Sequence, residues 1–140
     1  MTIVIAIKIN EGIVMASDSA TTVFLKREPG NVYYNRKKLF NLIKGLPIGI
    51  LSYGDGEIGD LTTPLLIRKF RRIINKNNRT INLNLENLVI RSVAEVFLKF
   101  LQTELKNASE QGKSQDHQLI GFFIGGYSAK VQNYLIGSAK

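Results

Sequence analysis

Apolar residues alternate along Thr2 to Ile9, placing Ile3, Ile5, Ile7 and Ile9 on one side, and this period of two predicts a β-strand that starts at the second residue. Asn10-Glu11-Gly12 has turn chemistry and leads into Ile13-Val14-Met15-Ala16, so the chain opens on a hairpin. The stretch from Thr21 to Tyr34 mixes charges with Pro29-Gly30 and reads as a loop. Leu39 to Ile43 and Ile48 to Tyr53 are strand-like runs around a Lys44-Gly45-Leu46-Pro47 turn, which predicts a second hairpin. Leu61, Leu65, Phe70, Ile73 and Ile74 then form one stripe at helical spacing. Asn84 is placed to cap a second helix carrying Leu85, Leu88, Val89, Val93, Val96, Phe100, Leu101 and Leu105. After a polar connector from Asn107 to Gln118, Leu119 to Tyr127 and Lys130 to Ile136 read as a last hairpin turning at Ser128-Ala129.

Strands and helices are thus grouped, which argues for α+β layers and against a doubly wound parallel sheet. The expected arrangement is a central antiparallel sheet, built from the opening hairpin and Leu39 to Tyr53, under two helices. A length of 140 residues and a hydrophobic content of 44% suit one domain, residues 1–140, with a real core.

Composition narrows the chemistry. The chain has no cysteine, which removes disulfides, thiolate metal sites and cysteine nucleophiles. Its single histidine, His117, lies among Gln115, Asp116 and Gln118 and reads as a surface residue, so a histidine metal cluster or a Ser-His-Asp triad is not expected. No apolar run reaches the roughly 18 residues of a bilayer span, and no basic segment precedes the first apolar stretch, giving the expectation of a soluble, cytoplasmic protein. The net charge of +8 is densest at Arg68-Lys69-Phe70-Arg71-Arg72, with Lys76 and Arg79 beyond. Those cations fall opposite the apolar stripe of a helix and read as a solvated face ahead of a nucleic-acid surface.

Thr2 follows the initiator Met1. Removal of Met1 would give one residue both a hydroxyl nucleophile and a free α-amine, which titrates near pH 7.7 to 8.0 and can take the hydroxyl proton without a histidine. Together with Gly12 to Ser19, which contains Ala16-Ser17-Asp18-Ser19, with Lys37-Lys38-Leu39-Phe40, and with Ser52-Tyr53-Gly54-Asp55-Gly56, this chain resembles the N-terminal nucleophile hydrolases of the proteasome type. Proteasome β-subunits, the HslV peptidase and the Anbu proteins are the likenesses, and the resemblance runs from Thr2 to about Ile136. It implies a four-layer α-β-β-α sandwich, here lacking its last strands and helices, and a threonine-type peptidase. It also implies a peptide or unfolded-protein substrate, a ring-like homo-oligomer and no cofactor or metal.

Residue by residue, the resemblance makes Thr2 the nucleophile, Asp18 its buried acid and Lys38 the activating lysine. Lys38 is preferred to Lys37 because Leu39 and Phe40 follow it. Gly54 falls near the glycine whose N–H stabilises the oxyanion, and a register shifted by one residue would make Tyr53 the donor instead. The family's later supporting Asp and Ser have no assigned counterparts.

Other readings compete. A non-catalytic structural member of the same family would keep the fold and its ring-forming surfaces. Gly54-Asp55-Gly56-Glu57-Ile58-Gly59 fits GxGxxG, but Asp55 and Glu57 put carboxylates where a pyrophosphate would bind, and no βαβ unit surrounds it. Asp55, Glu57 and Asp60 could hold a hard cation, yet they also suit the first turn of a helix through its dipole.

Overall fold

The computed structural model describes residues 2–25, 28–76, 88–113, 119–128 and 134–136. Its first hairpin joins β1 (Val4–Ile9) to β2 (Gly12–Ser17), pairing Val4 with Ser17 and Ile9 with Gly12. The expected loop after it is instead a second antiparallel hairpin, β3 (Thr21–Leu25) and β4 (Glu28–Tyr33), with a register irregularity between Thr22 and Phe24. The β-branched and aromatic run Thr21-Thr22-Val23-Phe24-Leu25 favours extended backbone, and the neighbouring charges and Pro29-Gly30 concealed it. Next come β5 (Leu39–Asn41), β6 (Ile48–Gly54) and two short strands, β7 (Glu57–Ile58) and β8 (Leu61–Thr62). Helices α1 (Thr63–Lys76) and α2 (Ile90–Glu110) precede β9 (Ile120–Gly126) and β10 (Tyr134–Ile136).

The architecture is mixed α+β, and among the described residues every strand pairing is antiparallel. Its main sheet has the order β10-β9-β6-β5, so the opening hairpin is not part of it, contrary to the sequence expectation. Instead, β1 and β2 pack on the face of that sheet opposite the helices. The two-residue period of β6 explains how both faces are filled. Ile48 and Ile50 join the helix-side core with Phe122 and Ile124 of β9, whereas Leu51, equally buried, stands outside that cluster. On the Leu51 side, Met15 of β2 lies so close to Gly49 that a Cβ there would sit 2.8 Å from its Sδ. Tyr127 adds a tie between the layers, its hydroxyl accepting the Ile13 N–H at 3.2 Å.

The helix-side core is aromatic at its centre. Phe97 meets Phe70 and Phe122 edge-on, with ring centroids 4.9 and 5.1 Å apart. The buried face of α1 is Leu66, Ile67, Phe70 and Ile74; Leu65 is exposed, and Leu61 belongs to β8. On α2 the buried set includes Ile90, Val93, Phe97, Phe100 and Leu101, while Val89 is exposed. Asn84, Leu85, Arg79, His117 and Ala129 lie outside the described residues. Arg68 and Arg72 face solvent, but Lys69 binds the buried Glu104 carboxylate at 2.7 Å and Arg71 donates to the Asn41 and Leu42 carbonyls. The basic run is thus partly an internal clamp. Among the described residues, no helix is long and apolar enough to cross a membrane.

One apolar surface is left open. Ile3, Ile5, Ile7 and Ile9 are 50 to 53% exposed and stand with the exposed Val14 on the outer face of the first hairpin. A strip of this kind offers a binding surface for apolar partners. The chain should therefore enhance the fluorescence of a hydrophobic dye in its native state, and Ile5→Lys with Ile7→Lys should lower that signal. Equal enhancement by the parent and the double variant would place the dye site elsewhere.

Candidate active site

The hairpin register carries beyond the end of β1. Asp18 donates its N–H to the Ile3 carbonyl at 3.1 Å, and its Oδ1 accepts the Ile3 N–H at 2.9 Å. Thr2 is therefore held one residue past a fixed pair, at the edge of the sheet where β2 ends. The other carboxylate oxygen of Asp18 accepts the Ala20 N–H at 3.2 Å, turning the chain away from the strand. From the opposite side, Arg36 donates its N–H to the Ser19 carbonyl at 3.1 Å, which draws the segment leading into β5 alongside this turn.

Lys38 stands at the end of that segment and is only 8% exposed. Its Nζ reaches Asp18 Oδ1 at 2.9 Å and Oδ2 at 3.0 Å, the Ala20 carbonyl at 2.6 Å and Thr2 Oγ1 at 3.3 Å. Carboxylate and carbonyl oxygens only accept, so this environment suits an ammonium with all three hydrogens committed. A lysine held in this way is not free to take a proton from Thr2. It can instead place positive charge beside the hydroxyl oxygen and leave the hydroxyl hydrogen to another base. The structure thus brings together Thr2, Asp18 and Lys38, while Lys37 next door is exposed.

Asp18 is held below the ordinary carboxylate range, first by the Ile3 N–H and then by the Lys38 ammonium, with partial burial opposing them.

Gly54 lies at the same edge, with φ at +81°, and a Cβ there would collide with the Leu119 carbonyl. Glycine is therefore required by backbone geometry alone. Its N–H has a further property. Ser52 donates to the Lys38 carbonyl at 2.8 Å, on the β5 side, and strand alternation turns the N–H of Gly54 to that same side, past the start of β5. Tyr53 is directed the other way, opposite Gly121 of β9, and its ring lies over that glycine. Of the two oxyanion-donor registers, the one using Gly54 has an N–H turned to the Lys38 edge.

Thr2, Lys38 and Gly54 line a cleft of about 180 Å³ together with Thr21, Arg36 and Pro64. The acidic residues beside it do not form the first turn of a helix as the sequence suggested. Helix α1 starts at Thr63 and has no acid in its first turn, because Glu57 lies in β7 and the short β7–β8 pair intervenes. Asp55 instead accepts the Leu119 N–H at 2.7 Å, and Asp60 pairs with Lys113.

Sequence reasoning missed the Ala20 carbonyl and Ser52, which is buried with its Oγ 3.4 Å from the Lys38 carbonyl. Backbone carbonyls carry no residue-type signal, and Ser52 was visible only as a member of the Ser52 to Gly56 run, with no role of its own. Comparison of the chain with protein-family models, curated proteins and solved structures finds no match.

The lowered Asp18 pKa has a signed consequence. Its stabilising effect is complete above the unfolded carboxylate pKa of about 3.9 and is lost as pH falls through the lower folded value. Urea midpoints measured from neutral to strongly acidic pH should fall more steeply for the parent than for Asp18→Asn, so the gap between them narrows in acid. Parallel curves would show that Asp18 carries no such linkage.

Proposed function

We propose that this chain is a proteasome-like threonine-type peptidase whose nucleophile is the Thr2 hydroxyl after removal of Met1. The observation that carries the reading is the Lys38 ammonium shared between Thr2 Oγ1 and the Asp18 carboxylate. With Met1 attached, the Thr2 nitrogen is an amide and has no basic lone pair. Once freed, the α-amine is covalently tethered to the same residue as the hydroxyl and can serve as its base.

In the proposed reaction, Thr2 Oγ attacks the scissile carbonyl as its proton passes to the α-amine. The resulting oxyanion is met by the Gly54 N–H, a kind of contact worth about 3 to 4 kcal/mol in acyl-transfer sites. Collapse expels the peptide amine, which takes the proton from the Thr2 ammonium, and leaves an ester on Thr2. Water then adds to that ester, with the α-amine again accepting and returning the proton, to release the acid. Lys38 remains charged throughout, favouring the developing alkoxide, and Asp18 keeps it in place.

Helices, main sheet and opening hairpin supply three successive layers that suit this reading. A four-layer sandwich, a ring-like assembly and a cytoplasmic setting extend the same proposal. A chain that retains Met1 would serve such an assembly without cleaving.

Peptide hydrolysis should be measured on protein whose intact mass confirms a Thr2 N-terminus. Thr2→Ala should reduce turnover to background with the fold unchanged, and Thr2→Ser should retain activity because hydroxyl and amine are both kept. Lys38→Ala should lose about 100-fold or more, the scale expected when a positioned group that stabilises developing negative charge is removed. Parent-level hydrolysis by Thr2→Ala would overturn the assignment.

A further inference from the structure

The cleft beside Thr2 carries more positive charge than the proposed chemistry uses. Lys38 is balanced by Asp18, but Arg36 and Lys37 also line the cleft and both are exposed. Among the described lining residues Asp55 is the single carboxylate, and its Oδ2 is turned to the Leu119 N–H. The Arg36 backbone N–H is bonded to the Ser19 carbonyl, and its guanidinium Nη1 lies over Gly56, 2.8 Å from where a Cβ would stand. The Gly56 carbonyl beneath it accepts from both the N–H and the hydroxyl of Thr63, at 2.8 and 3.0 Å, so this floor is tied to the start of α1.

Resting on the peptidase reading, we infer that the cleft selects peptides with an acidic side chain on the residue contributing the scissile carbonyl. Thr2 and both cations border the same cleft of about 180 Å³. A guanidinium recognises a carboxylate through a planar, two-pronged hydrogen-bonding edge, and Lys37 adds a second positive charge. A basic substrate side chain would meet the same two cations unfavourably. Because Arg36 and Lys37 face solvent, the selection is electrostatic in part and weakens with salt.

The test uses protein beginning at Thr2 and three chromogenic peptide amides that differ only in Glu, Leu or Lys before the scissile bond. The Glu peptide should have a kcat/KM about 10-fold or more above the other two at low salt, with the ratio falling as salt rises. Arg36→Gln should shrink the ratio, and Arg36→Glu should shift preference toward the Lys peptide. Equal kcat/KM for the three peptides, with turnover still abolished by Thr2→Ala, would overturn this inference alone. Turnover of none of them, or turnover unaffected by Thr2→Ala, would overturn the peptidase reading and this inference with it.

Discussion

A nearly buried ammonium demands acceptors, and the site is organised around that demand. Lys38 finds them in both oxygens of Asp18, in the Ala20 carbonyl and in Thr2 Oγ1, four oxygens of three residues drawn from the approach to β1 and the turn after β2. An isolated charge at this depth would be costly, so each of these elements constrains the others. Asp18 in turn accepts the Ile3 and Ala20 N–H groups, fixing Thr2, the residue ahead of Ile3, relative to the turn. The same network that satisfies the lysine therefore sets the position of the Thr2 hydroxyl.

The fold supplies this network with a rigid backing. Strand β6 has β5 on one side and β9 on the other, and its alternating residues serve two different layers. Ile48 and Ile50 enter the aromatic core under α1 and α2, while Gly49 and Leu51 face the first hairpin. Ser52 continues the strand into the site by donating to the Lys38 carbonyl, and Gly54 ends it. Packing on the helix side thus determines where the edge beside Thr2 lies. Gly54 answers two demands there: a positive φ with no room for a side chain, and an N–H turned toward the edge from which Lys38 enters.

Local pattern revealed the first hairpin, the β5–β6 hairpin and the pairing of β9 with β10, because their apolar runs are separated by recognisable turns. It did not reveal that β6 pairs with β9, since that choice depends on side chains meeting across a long sequence separation. Nor did it give the phase of α1. The helix begins at Thr63, which turns Leu66 and Ile67 inward and Leu65 outward. Phe97, at the centre of the aromatic core, was passed over in favour of its neighbour Val96. Within the site, Thr2, Asp18 and Lys38 were legible from residue type and spacing together with the family resemblance. Arg36 was not, because a cation in a charged stretch has no distinguishing pattern until the backbone bond to Ser19 brings it to the cleft.

The central claim is that one residue supplies both nucleophile and base. It is tested most directly by treating the chain with a peptidyl epoxyketone, which closes a stable ring only by bonding to a hydroxyl and an amine on the same N-terminal residue. Peptide mapping by mass spectrometry should find a single adduct on Thr2 in protein lacking Met1, and none in protein that keeps Met1 or carries Lys38→Ala over the same time. An unmodified Thr2 in the Met1-free protein, or equal modification of the protein that keeps Met1, would contradict the account.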